Sequence, residues 1–370
     1  MTGLSVRGLT LAENVRVRPV VEDVSFSAQA GAVTAVLGLA GAGKTMLLAG
    51  IAGLRKPLRG AVFVNGADVT AVRTEKRGVA LLAPGADLGG DRTLAAALRR
   101  IAGRKSAGAA ADLLQAFGLS AAAETRVAAL THGQGFAALT AARLAGGGDV
   151  LLVDDAGTGL DAEARAALQA WLWGQAADGR TVVIATRDVA LALAADALVL
   201  LHQGQVLQSG SPASVYAEPR DLTAARLTGP LNLLHGVVRQ KISGGFVWAG
   251  GGRKFSQQGA GPALGGDVAL GLRPEQIFLA ADGAPGNTVS GTITRLVCLG
   301  GRTETWADTA LGVLRMHSPG PAMLRQGQVV TLAWDAASPC SLSGDAQPGR
   351  ADHGAQAGAV AAPVRSTAHA

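Results

Sequence analysis

Eight consecutive residues, Gly38-Leu39-Ala40-Gly41-Ala42-Gly43-Lys44-Thr45, have the types and spacing to hold a polyphosphate. The run reads G-x-x-x-x-G-K-T. Glycines let the backbone curl so that successive N–H groups point inward at phosphate oxygens, and a helix that follows adds its positive end. Lys44 is placed to reach the β- and γ-phosphates, and the Thr45 hydroxyl to ligate Mg²⁺. A chain with 52 glycines also makes ordinary Gly-rich turns. What argues against that reading is context: an apolar, strand-like run at 32–37 comes before, and a helix-like run at 45–54 comes after. A second element completes the chemistry. Val150-Leu151-Leu152-Val153-Asp154-Asp155 is an apolar strand ending in two acids. In a phosphate-loop enzyme the first acid holds the metal through water and the second polarises the attacking water. An Asp-Asp pair alone is equally a cap for the next helix; beside the phosphate loop it points to MgATP.

The elements that must position these residues can be read from periodicity. Residues 1–30 alternate apolar and polar through Val15, Val17, Val21, Val24 and Phe26, which predicts antiparallel strands. Residues 94–128 are Ala-rich with helical spacing, Leu113, Leu114 and Phe117 on one side. Two further buried-strand candidates, 149–153 and 181–185, flank a helix over 162–175. Strand, helix, strand repetition predicts a parallel sheet with crossovers. After about residue 230 the texture changes to short alternating segments between Gly-rich loops, at 236–238, 246–248, 268–272, 291–297, 303–306 and 329–334. This predicts a small all-β domain or barrel. From about Gly344 the chain is Ala, Gly, Gln and Pro, and a disordered tail is expected. The expected division is 1–230, 231–342 and 343–370.

Composition sets bounds. Of 370 residues 48% are apolar and 16% charged, so a sizeable core is available. Net charge is +6 with no dominant basic block. The groups Arg99-Arg100-Arg104-Lys105 and Arg73-Lys76-Arg77 read as solvated faces, and no nucleic-acid partner is expected. Cys298 and Cys340 lie far apart, which does not indicate a disulfide framework and fits a reducing compartment. The N-terminal residues lack the pattern of a signal peptide. The most apolar stretch, 181–201, is interrupted by Arg187, Asp188 and Asp196, which argues against a membrane span. Trp248, Trp306 and Trp334 read as core packing ahead of a ligand groove.

The order of features, from about residue 4 to 342, resembles the nucleotide-binding subunits of ABC transporters. Leu130-Thr131-His132-Gly133-Gln134 is similar to the family signature L-S-G-G-Q, and Thr158-Gly159-Leu160-Asp161 to the loop after the acidic pair. Gln208 to Pro212, with Val215, Tyr216 and Pro219, resembles the closing segment of the ATPase domain in importers. Gly271-Leu272-Arg273-Pro274-Glu275 resembles the G-I-R-P-E element of the C-terminal β domain in the sugar, glycerol-phosphate, polyamine and iron importer branch. The resemblance implies a phosphate-loop ATPase domain with a helical subdomain, then a TOBE-type, OB-like β domain. It implies transmembrane permease partners at the inner face of the membrane, and a head-to-tail pair of ATPase domains. In that pair each ATP lies between one phosphate loop and the other chain's signature, so Thr131, Gly133 and Gln134 would meet a nucleotide in trans.

Set against that pattern, the chain departs at five functional positions. Pro84 falls where the family Gln is expected, and Pro carries no amide. Asp155 replaces the base-like Glu and is one methylene, about 1.5 Å, shorter in reach. Arg187 stands at the switch His, where it stays charged and cannot accept a hydrogen bond, although its charge can pair with a γ-phosphate. His132 replaces a signature Gly, and no Tyr, Trp or Phe precedes Phe26 as an adenine platform. Binding parts survive while hydrolytic parts change. The leading expectation is an importer ATPase subunit paired with a second, more competent ATPase subunit, its own turnover low. The alternatives are an active homodimeric ATPase and a nucleotide-sensing regulatory protein without a transport role.

Overall fold

The computed structural model describes residues 2–14, 18–82, 90–102, 107–116, 118–131, 134–135, 137–139, 148–155, 162–281, 283–321 and 323–342. Its elements run β1 (Thr2–Leu11), β2 (Val21–Gln29), β3 (Val33–Leu37), α1 (Lys44–Ala52), β4 (Arg59–Val64), β5 (Ala67–Asp68), β6 (Val79–Leu82), α2 (Leu94–Ala102) and α3 (Ala107–Ala116). Then come β7 (Val150–Asp154), α4 (Ala162–Ala177), β8 (Thr181–Thr186), α5 (Val189–Leu193), β9 (Ala197–His202), β10 (Gln205–Gly210), α6 (Pro212–Ala217) and α7 (Leu222–Leu227). The rest is strand: β11 (Asn232–Ile242), β12 (Gly245–Gly250), β13 (Arg253–Gln258), β14 (Asp267–Leu272), β15 (Phe278–Ala280), β16 (Asn287–Cys298), β17 (Arg302–Thr309), β18 (Gly312–Pro319), β19 (Val329–Trp334) and β20 (Cys340–Ser341).

The central sheet has the order β10-β9-β3-β8-β7-β6, parallel except for the β10 edge. Strands β3, β7 and β8 are buried at every residue, as expected where both faces are covered. Alternate residues serve different cores. Val33, Ala35, Leu37, Leu151, Val153, Val182 and Ile184 pack with the helical side, including Leu168 and Leu172 of α4. Val36, Val150, Leu152, Val183 and Ala185 pack against α1 and the antiparallel sheet β2-β1-β4-β5. Chain order and sheet order differ in a way that matters: β8 lies between β3 and β7. Their carboxyl ends, where open α/β sheets bind ligands, therefore bring residues near 38–45, 154–155 and 186–187 together.

The C-terminal part is all-β, in two antiparallel sheets ordered β13-β12-β11-β14-β20 and β15-β19-β16-β17-β18. Between them Trp248, Phe255 and Trp334 form a buried aromatic stack, with ring centroids 4.7 and 5.3 Å apart. Trp306 is different: it is half-buried, with the guanidinium groups of Arg295 and Arg315 at 4.9 and 5.2 Å from its ring.

One arginine joins the two parts. Arg273 is 4% exposed. It donates to the carbonyls of Ala225, Gly229, Pro230 and Tyr216 and to Thr228 Oγ1, at 2.8–3.2 Å, and lies 4.1 Å over the Tyr216 ring. The Tyr216 hydroxyl in turn bonds Glu275. The Gly271–Glu275 run thus has a physical task, which is to fasten the segment after α7 to the β domain.

Several sequence expectations need correction. The helical stretch at 94–128 is two helices, α2 and α3, followed by 3₁₀ turns at Ser120–Ala122 and Val127–Ala129. Gly118, at φ +67°, sits where α3 gives way to these turns. Arg77 is not on a solvated face: it is 5% exposed and donates to the carbonyls of Val72, Gly50, Ile51 and Thr70. The apolar stretch 181–201, in which no membrane span is expected, needs no such correction: it folds as β8, α5 and β9, and among the described residues no helix is long and apolar enough to cross a membrane. Val15, Val17, Pro84, Phe117, His132, Gly133, residues 158–161 and the tail from 343 lie outside the described residues.

Candidate functional site

The turn between β3 and α1 carries the eight-residue loop. Its glycines answer specific needs. A Cβ on Gly38 would lie 2.4 Å from the Leu201 carbonyl, and Gly43, the N-cap of α1, has φ +99°. Both positions exclude ordinary side chains. The first residue of α1 is Lys44. It is 9% exposed, and its ammonium donates to Gly38 O at 2.7 Å and Leu39 O at 2.9 Å. The lysine thus folds back along the inside of its own loop. Burial lowers its pKa, while the charges of Asp155 and Asp154 work the other way. These groups therefore share one electrostatic environment.

At the end of β7, Asp154 is 3% exposed. Burial raises its pKa, opposed by a hydrogen bond from Thr45. Its Oδ2 has no hydrogen-bond partner among the described residues. A buried, unpartnered carboxylate oxygen is costly unless a cation or donor completes it. Together with the neighbouring Thr45 hydroxyl it makes an all-oxygen donor set of the kind Mg²⁺ takes, with room left for water and phosphate oxygens. Asp155, the next residue, turns out of the strand with φ +55° and donates its N–H to Ala185 O at 2.9 Å. Its Oδ2 accepts from Arg187 at 3.1 Å. Arg187 follows β8 directly, ahead of Asp188, which caps α5 by accepting from the N–H groups of Ala190 and Leu191.

These side chains surround a cavity of about 520 Å³, lined by Ala40 to Met46, Asp154, Asp155 and Arg187 together with Glu13, Val20, Ala49 and Arg55. The last four were not singled out from the sequence. Arg55 lies two residues past the C-cap Gly53 of α1, and no motif marks it. Thr131 and Gln134 are not part of this cavity. Thr131 is exposed and forms a reciprocal cap with Gln134: Thr131 N–H donates to Gln134 Oε1 at 3.0 Å, and Gln134 N–H donates to Thr131 Oγ1 at 3.3 Å. The helical residues 134–135 and 137–139 follow, so Thr131 stands at a helix N-terminus.

The profile of the family described as ABC transporter matches residues 21–158, and that of the TOBE domain matches 270–341. A spermidine/putrescine import ATP-binding protein from Frankia alni is 31% identical over 86% of this chain and 74% of its own length. A sulfate/thiosulfate import ATP-binding protein from Mycobacterium tuberculosis is 32% identical over 76% of each chain. This chain belongs to the ABC-transporter ATP-binding proteins. A solved structure of the ATP-binding subunit of an ABC transporter superposes with a TM-score of 0.54 at 26% identity, covering 62% of this chain and 95% of that one. Membership carries with it an ABC-type ATPase domain, with ATP and Mg²⁺ as the family's ligands, and a C-terminal TOBE domain. For an ABC ATPase the cavity has the right chemistry in one place: backbone donors and an ammonium for phosphate, and a hydroxyl with a carboxylate for the metal.

Proposed function

We propose that this chain is the ATP-binding subunit of an importer, holding MgATP at the carboxyl ends of β3 and β7. The observation that carries the reading is the convergence of Lys44, Thr45 and Asp154, whose Oδ2 is unpartnered, on one cavity. In this reading the loop Gly38, Leu39, Ala40, Gly41, Ala42 and Gly43 wraps the phosphates with its N–H groups. Lys44 leaves the carbonyls of Gly38 and Leu39 to bond the β- and γ-phosphate oxygens. Thr45 would hold Mg²⁺ through its hydroxyl and Asp154 through water, and the ion would neutralise phosphate charge. Asp155 and Arg187 flank the water-attack side. Thr131, Gly133 and Gln134 face the phosphate of a partner chain, with the helix after Thr131 adding its positive end.

The partner is a second, more competent ATPase subunit, and transmembrane permease subunits hold the pair at the inner face of the membrane. Asp155 falls short of a glutamate's reach, so two copies of this chain would hydrolyse slowly at both sites. Residues 1–230 form the ATPase domain and 231–342 the TOBE domain of the importer branch, with 343–370 as a tail. The named relatives carry a polyamine and a sulfur oxyanion, solutes of opposite charge, so the solute is chosen by other subunits. The pure chain is expected to bind MgATP and to turn over far below about 1 per second across concentrations that span dimerisation, and to gain turnover when an intact ATPase partner is added. Robust cooperative hydrolysis by the pure chain would favour the homodimer, and failure to copurify with any permease subunit would favour the regulatory reading.

A further inference from the structure

Two of the charged side chains lining the cavity are bonded to each other. Arg187 donates to Asp155 at 3.1 Å, linking the carboxyl ends of the neighbouring strands β8 and β7. The backbone on both sides is fixed. Asp155 is held by its N–H bond to Ala185 and by its left-handed turn. Arg187 sits between Thr186 and Asp188, whose N–H donates to Thr186 Oγ1 at 3.0 Å. What can move is the arginine arm, whose side chain is 54% exposed against 26% for Asp155. A guanidinium keeps its charge and has five N–H donors, while an ionised carboxylate only accepts. An exposed ion pair of this kind is weak. A terminal phosphate, with three acceptor oxygens and more than one charge, is a stronger partner for the same fork.

We propose that Arg187 distinguishes nucleoside triphosphate from diphosphate by exchanging Asp155 for the terminal phosphate, and that Asp155 becomes a free carboxylate only after that exchange. The inference rests on the nucleotide reading of the cavity. In this exchange a diphosphate, which lacks the third phosphate, leaves the pair closed and Asp155 masked. A triphosphate draws the guanidinium away, and the released carboxylate is then free to orient water. Arg187 is thus a specificity residue and Asp155 its resting competitor. Removing the competitor should strengthen triphosphate binding, but only while the arginine is there to benefit.

The test is the affinity of the full chain for MgADP and for a non-hydrolysable MgATP analogue, measured by calorimetric titration in the wild type, R187A, R187K, D155N and the R187A/D155N double variant. D155N should bind the triphosphate about two- to fivefold more tightly, the size of an exposed pair released, with MgADP affinity changed less. R187A should lose most of the triphosphate preference, and R187K should keep part of it through its charge. In the double variant the gain from D155N should vanish. An equal gain from D155N with and without Arg187 would reduce the effect to removal of a negative charge and overturn the exchange. So would an unchanged triphosphate-to-diphosphate ratio in R187A. If the wild type binds neither nucleotide, the reading of the cavity itself falls; if it binds both and only the ratio test fails, the exchange alone falls.

Discussion

At the scale of single residues the site is a balance of buried charge. Lys44 is the one long cation whose ammonium reaches the inside of the loop among the described residues. Lys44→Ala should therefore weaken MgATP binding by at least tenfold, because a hydrogen bond to a charged group contributes about 1.5–3 kcal/mol. Unchanged affinity in a titration would show that the nucleotide sits elsewhere. Asp154 gives a pH-dependent prediction. Burial raises its folded-state pKa, so the folded chain takes up this proton more readily than the unfolded chain. The ionised form then costs stability; that cost is fully present above the folded pKa and absent below the unfolded one. Asp154→Asn should raise Tm at about pH 7.5, with the gain shrinking as pH falls toward about 4, while Mg²⁺-dependent nucleotide affinity is lost. A lower Tm at neutral pH would contradict it. The loop and the acids were legible in the sequence because their chemistry is local. Arg77 was not, because its carbonyl partners at Gly50 and Ile51 come from the end of α1, and no spacing rule announces a partner from another element.

At the scale of elements, the strands were legible wherever both faces are buried, since continuous apolar runs such as 150–153 have few other uses. Their spatial order was not, and it decides the site: only the placement of β8 between β3 and β7 brings Arg187 beside Asp155. The same holds for the Thr131–Gln134 pair. From its spacing it reads as part of a signature; in the fold it is also a helix cap. Thr131→Ala should cost about 1 kcal/mol of local stability, seen as faster amide exchange at 134–135 and 137–139, and Thr131→Ser should restore it. Equal protection in the alanine variant would mean that the cap is idle.

At the scale of the whole molecule, the described residues form two hydrophobic cores on the α/β side and one in the β domain, joined where Arg273 collects five acceptors from the preceding segment. Removing that guanidinium leaves several buried carbonyls without a donor. Arg273→Met should destabilise the chain by roughly 2–4 kcal/mol and split its calorimetric unfolding into two transitions. A single transition at the wild-type Tm would show that the joint carries no coupling.

The five tryptophans are divided in a way that has a practical consequence. Trp171 and Trp173 lie on α4 against the α/β core, Trp248 and Trp334 are sealed in the β domain, and Trp306 is held between two guanidiniums. Emission from the sealed pair should be blue-shifted and insensitive to an aqueous quencher, while Trp306, under cationic neighbours, should respond more to iodide than to acrylamide relative to a neutral site. The chain therefore carries built-in optical labels on both sides of the Arg273 joint. Ultraviolet excitation alone, with single Trp→Phe replacements to assign each signal, can report whether an event at the phosphate loop is felt in the β domain.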